Sequence, residues 1–96
     1  MELRQLEIFR AVAEERSITR AAERCHISQS AVSQQVKALE RELGCDLLQR
    51  HGRSFDLTPA ADHLARGAKA LLADAERLRY EVEDIAYGLP SKLRVG

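Results

Sequence analysis

Ser17 and Ser28 each stand immediately ahead of a short apolar-periodic run, and the gap between them admits only about two helical turns and a tight break. Ser17 reads as the N-cap of a helix over Ile18 to Cys25 that buries Ile18, Ala21, Ala22 and Cys25. Ser28 reads as the N-cap of a longer helix running to Leu43, with Gly44 as its stop. His26 and Ile27 form the break, and histidine is among the non-glycine residues that tolerate a positive φ. The Ala21-Ala22 pair lets the next helix cross closely, and Val32, Val36, Leu39 and Leu43 give that helix a narrow inward stripe. Two helices joined in this way form a helix-turn-helix.

The flanking residues complete a small, mainly α domain. Glu2 to Glu15 places Leu3, Leu6, Phe9, Val12 and Ala13 on one helical stripe. From Cys45 to Leu57 the pattern changes: Leu47-Leu48 and Ser54-Phe55-Asp56-Leu57 read as two short strands about the turn that carries Gly52 and Arg53. Thr58 and Pro59 then start a last helix, threonine as N-cap and proline at the first helical position, where its missing N–H costs nothing. That helix continues to about Tyr87 and is ended by Gly88, Leu89 and Pro90. At 1.5 Å per residue it is roughly 43 Å long, more than the small globule before it can cover. The expected organisation is therefore 1–58 as a winged helix-turn-helix, 59–88 as a long linker or dimerisation helix, and 89–96 as a hinge.

The outward face of the third helix carries the functional argument. Ser30, Ser33, Gln34, Lys37 and Arg41 lie broadly opposite the apolar stripe, with Gln29 at the tip. These are hydrogen-bonding side chains of graded reach, and glutamine can pair bidentately with an adenine edge in the major groove of double-stranded DNA. Backbone N–H groups at the starts of the second and third helices are suited to phosphates. Arg53, at the hairpin tip, fits a wing residue reaching toward a minor groove. Arg50 looks less exposed by pattern and admits two readings, a phosphate contact or a pair with an acid. The formal charge is zero, with fifteen bases against fifteen acids, so any phosphate-binding surface must be local. Between Arg16 and Lys37 the bases Arg16, Arg20, Arg24 and Lys37 face only Glu23, which provides such a patch.

Along the last helix Leu64, Ala68, Leu71, Ala75, Leu78, Val82 and Ile85 recur at alternating spacings of four and three, an uninterrupted heptad stripe. It reads as a homodimer seam, the alternative being that it packs on the chain's own globule. Other classes fare worse. His26, His51, His63, Cys25 and Cys45 show no metal-ligand spacing, and no glycine-rich phosphate cradle, nucleophile elbow or paired-carboxylate pocket suggests an enzyme. Neither a metal nor a cofactor is expected, and both cysteines read as small buried hydrophobes. Without a long apolar run or a signal-like start, a membrane location is not expected, and a reducing cytoplasm is the expected compartment. The main rival function is a coiled-coil protein-interaction module that never touches DNA.

The Ser17–Ala22 run, Ser28-Gln29-Ser30-Ala31-Val32-Ser33, Leu39-Glu40, Leu43-Gly44 and Leu57-Thr58-Pro59-Ala60, in that order, closely resemble the DNA-binding domain of LysR-type transcriptional regulators. The likeness extends over essentially all of residues 2 to 96. Leu48 departs from the family's usual Phe, Cys25 from Leu and Ala61 from Gly, all at packing positions. The resemblance implies a bacterial regulator that binds an inverted-repeat operator as a dimer. Gln29, Ser30, Ser33 and Gln34 would read bases, Ser17, Thr19 and Ser28 would lie at helix starts that meet the DNA, and Arg53 would serve as the wing arginine. It also implies an antiparallel pairing of the last helix, with a tetramer open to the full-length protein. Lys92-Leu93-Arg94-Val95-Gly96 looks like the start of an effector-binding domain, through which alone a small molecule would act.

Overall fold

The computed structural model describes residues 1–88. It contains α1 (Leu3–Glu15), α2 (Ile18–Cys25), α3 (Gln29–Leu43), β1 (Leu48–His51), β2 (Ser54–Leu57) and α4 (Pro59–Tyr87). The elements expected up to Gly88 are present, and the fold is a three-helix winged helix-turn-helix continued by a long helix. The hinge and the strand expected after Gly88 lie outside the described residues.

Side-chain caps set the helix starts. Ser17 Oγ accepts from the Arg20 N–H at 3.1 Å, Ser28 Oγ from the Ala31 N–H at 3.0 Å and Thr58 Oγ1 from the Ala61 N–H at 3.2 Å. The helix ends are equally local. His26 adopts the left-handed conformation at φ 59°, and the Ile27 N–H then reaches back to the Ala22 carbonyl at 3.0 Å. This sharp reversal turns the chain from α2 into α3 within three residues. Arg16 closes α1 the same way at φ 53°, a cap the sequence did not announce.

Phe9, Val12, Val32, Val36, Leu39 and Leu47 are fully buried and form the centre of the core, with Ala21 and Ala22 beneath the crossing of α2 and α3. Two expected core residues are not in it. Leu3 is 52% exposed and Leu43 is 42% exposed, because each keeps the azimuth of its stripe but sits in a terminal turn that no other element covers. Conversely, Ile8 and Ala11 are buried, since α1 packs against α2, α3 and α4 and so buries a wider arc than one stripe. The hairpin pairs Leu48 with Leu57 and His51 with Ser54. Its inner edge, Leu48 and Phe55, is laid on the core. Gly52 at φ 61° followed by Arg53 at negative φ has the sign pattern of a two-residue type II′ turn. From this base α4 projects, giving the molecule extents of 54 × 25 × 17 Å.

Candidate nucleic-acid interface

On α3 the buried face (Val32, Val36, Leu39) fixes the helix on the core and turns the opposite face outward. Gln29, Ser30, Gln34, Lys37 and Arg41 are exposed there and Ser33 is half-buried. Ser28 spends its oxygen on the cap and lies 3.2 Å from the Ser30 hydroxyl, so the two hydroxyls form a small polar cluster at the helix start. Ser17 is committed to its cap in the same way and is half-buried, while Thr19 is exposed one position inside α2. Thr19, His26, Ser28 and Gln29 border one open concavity, which brings the starts of α2 and α3 to the same side of the molecule. The first turns of α2 and α3, whose uncapped N–H groups are the kind that suit phosphate oxygens, thus lie side by side, with Glu23 also lining the concavity between them. Arg53 is exposed at the hairpin tip.

Arg50 is exposed as well, and no carboxylate pairs with it. The expectation of a sheltered Arg50 fails because β1 turns only Leu48 inward and leaves its next three residues in solvent. The local basic patch also differs from its sequence outline. Arg24 bonds Glu14 at 2.8 Å and Glu15 at 3.2 Å, and Arg10 holds the other side of Glu14 at 2.8 Å. Hydrogen bonds from Arg10 and Arg24 hold the Glu14 carboxyl below its ordinary range, and Glu14 in turn raises Arg24. Arg24 therefore belongs to the joint between α1 and α2 and not to a phosphate surface.

The charges are sorted. On α1 and α4, Arg4, Arg10, Arg66, Arg77 and Arg79 are each paired with an acid on the same helix. On α4 the hydrogen bond from Arg79 lowers Glu76, and Glu76 raises Arg79. Among the described residues, the Lys and Arg side chains without a carboxylate partner are Arg16, Arg20, Lys37, Arg41, Arg50, Arg53 and Lys69. All but Lys69 fall between the end of α1 and the hairpin tip. A chain of zero net charge thus neutralises the arginines of α1 and α4 within their own helices and leaves most of its unpaired cations between the end of α1 and the hairpin tip.

The heptad stripe divides along its length. Leu64 is half-buried and Ala68 is 1% exposed, both against the chain's own globule. Beyond them Leu71, Leu78, Val82 and Ile85 are exposed, Leu78 at 61% and Ile85 at 82%, and Ala75 is half-buried. Of the cysteines, Cys25 is buried as expected, but Cys45 is exposed because it follows the Gly44 stop, outside the packed face of α3. Among the described residues no cluster of His, Cys, Asp and Glu could hold a metal ion, and no helix is long and apolar enough to cross a membrane.

One residue of this region was not legible in sequence. Glu40, next to Leu39 on α3, looks like an ordinary outward helix residue, yet its Oε2 accepts from the Leu47 N–H at 2.8 Å and the Leu48 N–H at 3.3 Å. Helical periodicity carries no trace of such a reach into the following strand.

Comparison with known proteins places this geometry. Residues 3–62 match the family described as bacterial regulatory helix-turn-helix proteins, lysR family. The HTH-type transcriptional regulator BudR of Klebsiella aerogenes is 43% identical over 96 residues, which is 100% of this chain and 67% of that protein. BudR of Raoultella terrigena is also 43% identical, and there the chain spans 33% of the relative's length. The crystal structure of the CbnR_DBD-DNA complex superposes with a TM-score of 0.84 at 40% identity, covering 90% of this chain and 99% of that one. The chain belongs to the LysR family of bacterial helix-turn-helix regulators.

Proposed function

We propose that the chain is the sequence-specific, double-stranded-DNA-binding part of a transcription regulator, with α3 in the major groove and the hairpin near the adjacent minor groove. The observation that carries this reading is the outward face of α3, polar along its length and flanked by cations without carboxylate partners. Gln29, Ser30, Ser33 and Gln34 read base edges, and Lys37 and the starts of α2 and α3, at Ser17, Thr19 and Ser28, meet phosphates. Arg53 supplies the wing contact. The superposable DNA complex of CbnR supports the reading.

The exposed length of α4 supports a homodimer. Ala68 is covered within its own chain, so the seam runs through Leu71, Ala75, Leu78, Val82 and Ile85. A two-fold pair of such chains presents two copies of α3 to one duplex, and its operator is accordingly an inverted repeat. Effector binding belongs to a separate domain of the longer protein, and the duplex affinity of this chain depends on salt and sequence. Selection of bound duplexes from random DNA, followed by titration of the selected site at several salt concentrations, tests the whole reading. An enriched inverted repeat and a steep salt dependence are expected. A dimer that enriches no sequence and binds no duplex would instead identify a protein-interaction module.

A further inference from the structure

Residue 47 is gripped from both sides. Its N–H, with that of Leu48, is bonded by the Glu40 carboxylate of α3. Its carbonyl accepts from the Thr58 N–H at 3.0 Å, and the Thr58 hydroxyl donates to the Asp46 carbonyl at 2.8 Å while capping α4. The Leu47 side chain is fully buried. The helix that faces outward, the hairpin and the long helix therefore meet at one backbone position, and beside the shared apolar core the Glu40 side chain makes the hydrogen-bonded link to α3. A carboxylate accepting backbone N–H groups forms a charge-assisted bond, about twice as strong as a neutral one.

That connection has leverage. The hairpin rests on the core through Leu48 and Phe55 but leaves the three β1 residues after Leu48 in solvent, so the aim of its tip relative to α3 depends on what fixes its base. From Leu48 to Gly52 the strand rises about 3.3 Å per residue, roughly 13 Å in all. A pivot of about 10° at the base would move the tip by about 2 Å, enough to break a hydrogen bond made there. We propose that Glu40 is a positioning residue for DNA recognition: its carboxylate fixes the hairpin on α3 so that Arg53 and the side chains of α3 engage one duplex together. The assignment rests on the reading of α3 and Arg53 as DNA-contacting.

A double-mutant cycle on the intact chain tests it, with duplex affinity as the readout and circular dichroism as the check on folding. Glu40→Ala is expected to weaken binding about tenfold in the native background but less than about twofold in an Arg53→Ala background, because the tip contact it serves is already gone. Glu40→Gln keeps an acceptor oxygen and is expected to restore most of the affinity. If Glu40→Ala does not fold, Glu40→Asp, which keeps the charge but withdraws it by one methylene, carries the same cycle. Multiplicative effects of the two sites, or a silent Glu40 substitution, overturn this assignment alone. A native chain that binds no duplex overturns the DNA-binding reading and the assignment with it.

Discussion

At the scale of single residues, the fold and the proposed interface draw on different side chains of the same helix. Val32 and Val36 are buried while Gln29 and Gln34 are exposed and Ser33 lies at the margin, so polar positions can be changed without opening the core. Gln29→Ala and Ser33→Ala are each expected to leave the thermal midpoint near that of the native chain and to cost about 1–3 kcal/mol of discrimination between the selected site and a site altered at the contacted base. Unchanged site preference in both variants would mean that α3 is not the reading element. His26 gives a prediction of opposite character. It holds the left-handed turn between α2 and α3, a conformation that glycine adopts at no steric cost. His26→Gly is therefore expected to raise stability by up to about 1 kcal/mol, a shift of a few degrees in midpoint at fixed protein concentration. A lowered midpoint would show that the imidazole makes a contribution larger than the strain it bears.

At the scale of elements, legibility followed from how local each determinant is. Caps at Ser17, Ser28 and Thr58, the stop at Gly44 and the turn at Gly52 are set by neighbouring residues, and all were readable in sequence. Burial of Leu3, Leu43 and Cys45 was misread because exposure at an element's end depends on what another element covers. The Glu40 bond to Leu47 joins two elements, and periodicity within either one is silent about it. The Arg10–Glu14–Arg24 network is likewise a property of the α1–α2 joint. Because Glu14's carboxyl is held below its ordinary value of 4.5, its stabilising effect is complete above that pH and is lost as pH falls through the lowered folded-state value. Thermal midpoints of the native chain and Glu14→Gln should differ near neutrality and converge in acid. The side chain is partly open to solvent, so the gap is expected to be no more than about 1 kcal/mol. On α4, Leu78 is 61% exposed, which makes it a clean probe of the proposed seam. Leu78→Asp should leave the folded monomer intact and abolish the dimer in sedimentation, since a buried unpaired charge is costly. An intact dimer would place the contact elsewhere.

At the scale of the whole molecule, the balance of charge is less informative than its distribution. Fifteen bases and fifteen acids would suggest a chain indifferent to a polyanion. The pairing pattern says otherwise: α4 neutralises Arg66, Arg77 and Arg79 within the helix, whereas Arg53 and Arg50 have no carboxylate partner. The distinction can be measured with two variants of identical formal charge. Arg53→Ala removes an unpartnered cation from the hairpin tip, and Arg66→Ala removes one already held by Asp62 at 2.7 Å. Each phosphate neutralised by a bound cation, one set in the minor groove included, contributes about 0.9 to the slope of log affinity against log salt, so a dimer losing both wing arginines should bind with a slope shallower by about 2. Arg66→Ala should leave the slope close to native, because its guanidinium is screened by its own partner and is assigned no phosphate. Were net charge the controlling quantity, the two variants would shift the salt dependence equally. Equal slopes would therefore discard the division of the surface into paired and free cations, and with it the account of how a neutral chain holds DNA.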